Sequence, residues 1–163
     1  MLVTDAMTGS TTSDQAERST DPTNRELYAC WTKDVLRYRD TDRQGHVNNA
    51  VFATFLESGR VAIFYDPAHP LAPTGASFVI ARLVLDFRAE LLWPGHVEIG
   101  TSVTRVGTSS MTLAQGLFTE DSCVATAETV LVLMDEATRK SRPLTDGMRE
   151  RLQQLGQRQI AAT

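Results

Sequence analysis

The sequence has little of what would tie the chain to an oxidising compartment, a membrane or a nucleic acid. Cysteine occurs twice, as Cys30 and Cys123. Two thiols far apart in strand-like surroundings suit a reducing cytosol, and both read as small core residues rather than a disulfide or a metal pair. No apolar run approaches the roughly 18 residues that span a bilayer, so no membrane association is expected and the location is expected to be cytoplasmic. The opening stretch, MLVTDAMTGSTTSDQAERSTDPTN, lacks the basic start and apolar centre of a secretory signal, and its acids argue against a transit peptide. Basic charge is scarce as well. Five acids against two bases up to residue 27 give −3 of the overall −4, leaving the rest of the chain at −1. That balance offers no basic face for DNA or RNA, although a local cluster for a phosphorylated ligand remains open. Finally, there is no G-x-S-x-G, and neither cysteine lies near a histidine in sequence, so a Ser or Cys nucleophile with a His partner has no support.

What is present fits one α+β domain. The 163 residues can bury a sizeable core. Residues 1–26 are rich in Ser, Thr and Asp and poor in apolar residues, which reads as a disordered tail, with a single domain over 27–163. YACWTKDVLRY reads as a first strand and DTDRQGH as a polar loop in which Gly45 supplies conformational freedom. A helix starts at Asn48 or Asn49, both good caps. Its apolar positions Val51, Phe52, Phe55, Leu56, Gly59, Ala62 and Ile63 form a stripe broad enough for a helix largely wrapped by other structure. Pro67 and Pro70 end it and open a loop to about Gly75. Next, FVIARLVLDFRAEL alternates, with Val79, Ala81, Leu83, Leu85 and Phe87 on one face and Arg82, Asp86 and Arg88 on the other. HVEIGTSVTRV, MTLAQGLFT and CVATAETVLVLMD follow as strands separated by turns, and LTDGMRERLQQLGQRQ closes as an amphipathic helix. A strand, a long buried helix and four meandering strands imply one curved antiparallel sheet around one helix.

The chemistry belongs in the loop before the helix. DTDRQG matches the opening of a calcium loop, yet the twelfth position, which needs a bidentate Glu, is Val51, so no metal is expected. A carboxylate beside a helix N-terminus remains. That pair suits a thioester, whose carbonyl is electrophilic and whose thiolate leaves without much acid help. Asp42 supplies a base or nucleophile, and free N–H groups at the helix start, Asn49 first, hold the developing oxyanion. Asp40 reads as a brace for the loop.

D-x-D-x-x-G-H-V-N-N followed by an apolar helix containing Leu-Glu-Ser resembles the bacterial 4-hydroxybenzoyl-CoA thioesterase family and its acyl-CoA thioesterase relatives, a hotdog fold. The resemblance runs from about Ala29 to Leu152, through VLDFRAELLWPGHVEIGTSVTRVGTSSMTL and VLVLMDEATRKSRPLTDGMRERL. It implies a catalytic Asp42, a polarising backbone N–H at Asn49, active sites at a subunit interface, and a dimer or pair of dimers. HVNN also resembles the plant-type acyl-acyl-carrier-protein thioesterases, whose loop uses an Asp, an Asn and a His. On that comparison Asp42 and His46 stand at the Asp and the His, and Gln44 replaces the Asn. His46 then has two readings, as loop filler and as helper orienting water or substrate. Gly45, Val47, Asn48, Phe52, Glu57, Arg88, Thr108, Ser109 and Ser110 are the expected substrate-binding residues. The CoA arm of related proteins lies near the Thr108–Ser110 hairpin. The expected reaction is hydrolysis of an acyl-CoA or acyl-carrier-protein thioester to acid and thiol, with no cofactor beyond the CoA of the substrate. A hotdog hydratase or dehydratase, and a catalytically silent acyl-CoA-binding module, are the alternatives.

Overall fold

The computed structural model describes residues 21–120 and 122–157. Strand β1 (Cys30–Val35) leads through a short 3-10 turn at Tyr38–Asp40 to helix α1 (Asn49–Phe64). Strands β2 (Ala76–Phe87), β3 (His96–Val106), β4 (Ser110–Phe118) and β5 (Cys123–Asp135) follow, then helix α2 (Asp146–Gln157). The five strands form one antiparallel sheet in the order β1-β3-β4-β5-β2. β1 and β2 are therefore the two edges, and the chain between them has to cross the whole sheet. α1 makes that crossing, packed on β1, β3 and β4. This is the hotdog arrangement.

A crossing helix needs a close approach, and Gly59 provides it. A Cβ at Gly59 would lie 2.6 Å from Ile99 Cγ2 and 3.3 Å from Gln115 Nε2. The fully buried Gln115 amide donates to the Leu56 carbonyl (3.0 Å) and to Thr101 Oγ1 (3.1 Å), and accepts from Thr129 Oγ1 (3.2 Å). The core divides on either side of this point. Phe52, Phe55 and Leu56 pack with Val97, Ile99, Leu117 and Val124, whereas Phe64 packs with Met111, Leu113, Leu133 and, from α2, Met148 and Leu152. No helix among the described residues is long and apolar enough to cross a membrane.

Several expectations change in detail. β1 is shorter than YACWTKDVLRY, because residues 38–40 turn to form the loop. α1 is not wrapped on all sides: Ala62 is exposed, and Val61 and Tyr65 are 47% and 43% exposed. The alternation in β2 slips by one residue, since Ile80 pairs with Leu131 and Arg82 with Val130, leaving Ala81 as a bulge. Phe78, before the bulge, faces Phe64 of the helix, and Leu83 and Leu85, after it, pack on the core around Phe52. The expected odd-numbered face therefore holds only beyond Ala81. Neither cysteine forms a disulfide, but both are half-buried rather than core.

Residues 1–20 of the expected tail lie outside the described residues, as do 158–163. Residues 21–26 are placed against the sheet. Arg25 pairs with Glu98 and stacks 4.4 Å from the Trp31 ring centroid, and Tyr28 donates to the Pro22 carbonyl (2.6 Å).

Candidate active site

The loop between β1 and α1 is built by its own backbone. Asp40, 8% exposed, accepts from the Arg37 N–H (2.7 Å), and its carbonyl takes the Asn48 N–H (2.8 Å). Thr41 bridges to Val47, and the Asp42 N–H donates to the His46 carbonyl (2.8 Å), which closes a small hairpin. Its tip turns at Gly45, whose φ of +83° lies in the left-handed region that favours glycine. Asp42 Oδ1 accepts from the Gln44 N–H (2.8 Å). Among the described residues no donor takes Oδ2. One oxygen thus braces the loop while the other is open.

Two further contacts seat this hairpin against the segment that follows β2. Val47 N–H donates to the Leu91 carbonyl (2.8 Å), and His46 forms a β-bridge with Leu92. Arg88 and Ala89 both donate backbone N–H groups to the Val124 carbonyl (2.9 and 3.2 Å), and Arg88 Nε donates to Thr126 Oγ1 (3.0 Å). On the helix side, Asn48 caps α1 by accepting from the Ala50 N–H (2.9 Å), and its carbonyl takes the Val51 N–H (2.9 Å). The Asn49 N–H has no acceptor among the described residues, so it is an unspent donor at the positive end of the helix.

These segments enclose a cavity of about 300 Å³. Asp42, Gln44, His46, Val47, Asn49 and Phe52 line one side, and Phe87, Arg88, Ala89, Glu90 and Leu91 the other. The Phe52 and Phe87 rings meet edge to face, centroids 5.1 Å apart, as an apolar wall. His46 Nε2 lies 3.5 Å from Glu90 Oε2. A carboxyl group, an imidazole and a free helix-start donor around an apolar wall can bind a carbonyl group, polarise its oxygen and activate a nucleophile toward its carbon.

The structure brings together Asp42, His46, Val47, Asn49, Phe52 and Arg88. Gly45 and Asn48 shape the loop and the cap. Glu57 and the Thr108–Ser110 turn are not brought to this cavity within one chain. Glu57 stands eight residues beyond Asn49, about 12 Å along the helix, and lines a second cavity of about 300 Å³ with Arg60, Phe64, Tyr65, Phe78 and Ile80. There Arg60 Nη1 donates to Gln115 Oε1 (3.0 Å), and burial lowers the Arg60 pKa against the opposing pull of Glu57. The Thr108–Ser110 turn lies at that same end of the sheet. Ser110 pairs with Val132, and Val132 with Val79, eight residues and about 26 Å from Phe87. Its carbonyls are already taken: Thr108 accepts from Leu144 N–H and Arg149 Nη2 (both 2.9 Å), and Ser109 from Leu133 N–H (2.9 Å).

Sequence reasoning missed Glu90. RAEL reads as a continuation of β2, whereas the strand stops at Phe87 and residues 88–91 turn to form the cavity rim. Only the backbone pairing of His46 with Leu92 reveals the proximity, and no spacing rule announces it.

One antiparallel sheet crossed by a single long helix defines the class, an α+β hotdog domain. The chain belongs to the thioesterase-like superfamily, whose sequence pattern matches residues 36–152. It is similar in structure to a thioesterase from Thermus thermophilus solved with coenzyme A and zinc, with 28% identity, a TM-score of 0.70, and 80% of this chain and 96% of that one covered. A Pseudomonas aeruginosa protein shares the fold at 23% identity and a TM-score of 0.73, covering 80% of this chain and 94% of that one. A DHNA-CoA thioesterase from Staphylococcus aureus shares it at 21% identity and a TM-score of 0.69, covering 77% and 91%. No curated protein matches the chain. Family membership supports thioester hydrolysis in general.

Proposed function

We propose that the protein hydrolyses an acyl-CoA or acyl-carrier-protein thioester to a free carboxylic acid and a thiol. The observation that carries the reading is the convergence, in one cavity, of the Asp42 carboxylate and the unspent Asn49 N–H. Asp42 acts as general base on water or as nucleophile through a mixed anhydride. Asn49 N–H stabilises the oxyanion that either route builds on the carbonyl oxygen. Coenzyme A enters as part of the substrate, and the reaction needs no further cofactor. Arg88 stands at the rim, suited to a phosphate of the CoA arm.

The working unit we propose is a homodimer, alone or paired again. β2 is an edge strand whose outer backbone groups have no neighbouring strand among the described residues, and Ile80 and Phe87 are each 50% exposed on the helix side. Antiparallel pairing of two β2 strands about their middle would bring the Phe87 end of one beside the Phe78 end of the other. The partner's Glu57 and Arg60 would then border the cavity that holds Asp42, which reunites Glu57 with the site across the interface.

The test is a thiol-release screen of the purified protein over aliphatic acyl-CoAs of graded length, aromatic acyl-CoAs and acyl-carrier proteins. Release from at least one of them is expected. Binding without release across the whole set would replace the hydrolase with a silent acyl-CoA-binding module.

A further inference from the structure

We propose that Glu90 is a positioning residue for His46, and that the two form a histidine–carboxylate pair that activates the hydrolytic water. The proposal rests on the thioesterase reading above and adds a second functional pair to the same cavity. Its basis is geometric. Glu90 Oε2 stands 3.5 Å from His46 Nε2, and both residues line the cavity that holds Asp42. The approach is imposed by the backbone. The β-bridge of His46 with Leu92 and the Val47 N–H bond to the Leu91 carbonyl clamp the two loops at adjacent positions. The Glu90 side chain is 68% exposed, so the pair contributes little to stability. Its consequence is orientation.

A neutral imidazole has one donor and one acceptor nitrogen. When Nε2–H faces the Glu90 carboxylate, Nδ1 becomes the acceptor and is the nitrogen able to take a proton from water. This assigns different work to the two acids of the cavity. Asp42, whose Oδ1 is held by the Gln44 N–H, keeps Oδ2 for the acyl carbon, and with water activation given to His46 it is the nucleophile of the two roles open to it. Asp42 Oδ2 adds to the thioester carbonyl carbon, the C–S bond breaks and the thiolate departs, leaving a mixed anhydride. Water then loses a proton to His46 Nδ1 as its oxygen bonds to the acyl carbon. The anhydride C–O bond breaks and returns the Asp42 carboxylate, and the imidazolium proton passes to the thiolate. Thioester and water become acid and thiol, with no other reactant. The chain also contains a similar pair, His96 Nε2 with Glu120 Oε1 at 3.9 Å, in an adjoining cleft that Glu90 lines as well.

The experiment uses the full chain with ¹⁵N-labelled histidine and a thioester found by the screen. The protein has three histidines, so the ring nitrogens can be assigned by substitution. His46 is expected as the Nε2–H tautomer, and Glu90→Ala is expected to move its two nitrogen shifts toward each other. Glu90→Ala should lower kcat roughly tenfold or more, with KM falling in step so that kcat/KM is little changed, and Glu90→Asp should recover part of the loss. In rapid-mixing runs both Glu90→Ala and His46→Asn should release about one thiol per site before slowing, because only the water step is impaired. In a His46→Asn background, Glu90→Ala should cost nothing further. An unchanged tautomer and unchanged kcat in Glu90→Ala would overturn the pair, as would a full additional loss in the double variant. Failure of the unmodified protein to cleave any thioester would end the parent reading as well, whereas cleavage indifferent to Glu90→Ala ends this proposal alone.

Discussion

The two ends of α1 make an instructive pair. Each opens onto a cavity of about 300 Å³ between the helix and β2, and each cavity has an aromatic wall, Phe52 with Phe87 at one end and Phe64 with Phe78 at the other. The polar groups differ in how far they are committed. At the start of the helix, Asp42 Oδ2 and the Asn49 N–H have no partner among the described residues. At the far end the Glu57 carboxylate has no hydrogen bond or ion pair among the described residues, but the cation beside it is committed: Arg60 is tied to Gln115, which is itself held by Thr129, Thr101 and the Leu56 carbonyl. Unspent polar groups are available to a substrate, whereas spent ones fix the helix in place. The first cavity joins an open carboxylate to an open helix-start donor, whereas the second offers the open Glu57 carboxylate without such a donor.

The largest expected effect falls on the first cavity. Asp42→Asn keeps size and hydrogen-bonding reach but removes the negative charge. The kcat for thiol release should fall by about 100-fold or more with KM little changed. An equal fall produced at the Arg60 end would break the contrast between the two cavities.

Next comes Ile80→Asp, which places a carboxylate on the exposed edge where the proposed dimer buries it. An unpaired buried charge costs about 3 kcal/mol, more than 100-fold in Kd. Analytical ultracentrifugation should show monomer at concentrations where the unmodified protein is dimeric, with activity falling in parallel. A fully active monomer would show that each first cavity works without the partner's second cavity.

Gly59→Ala acts between the two cavities. The added methyl group meets Ile99 Cγ2 at 2.6 Å, so the helix or the strand must shift. A cost of about 1–3 kcal/mol is expected from denaturant unfolding, together with reduced kcat because the helix start moves with the helix. Loss of stability without loss of rate would mean that the Asn49 N–H tolerates displacement.

The smallest effect belongs to Arg60→Met. No carboxylate lies within 4.0 Å of the Arg60 guanidinium among the described residues, burial already lowers its pKa, and Gln115 Oε1 keeps its bond from Thr129. Stability should stay within about 1 kcal/mol and kcat should hold, with any change confined to KM. A collapse of kcat would move Arg60 into the chemistry.

Much of this layout was legible in the sequence. The turns on either side gave the limits of β3 and β5, and the Asn48–Asn49 pair marked the helix start, because turn chemistry and capping are local properties. The DTDRQGH loop could likewise be read as a carboxylate presented at a helix end. Non-local features could not be read. The meeting of His46 with Glu90 depends on the backbone bridge at Leu92. Reading alternation through FVIARLVLDFRAEL assumed constant parity, which Ala81 breaks. Glu57 and the Thr108–Ser110 turn look near the loop in a family sense, yet lie at the opposite end of the sheet in a single chain. Sequence spacing carries no record of which edge meets a second copy.

The bulge at Ala81 acts as a phase shifter for β2. Without it, a strand of this length would show one parity throughout. If Phe78 faced Phe64, then Asp86 and Arg88 rather than Phe87 would face Phe52. Deleting Ala81 would leave composition, charge pattern and strand length almost untouched, yet would turn the latter half of β2 inside out and replace the aromatic wall beside Asp42 with ions. A single-residue deletion six positions before Phe87, on a strand that contributes only its last residue to the cavity, is thus a more drastic edit to the site than most substitutions within the loop itself.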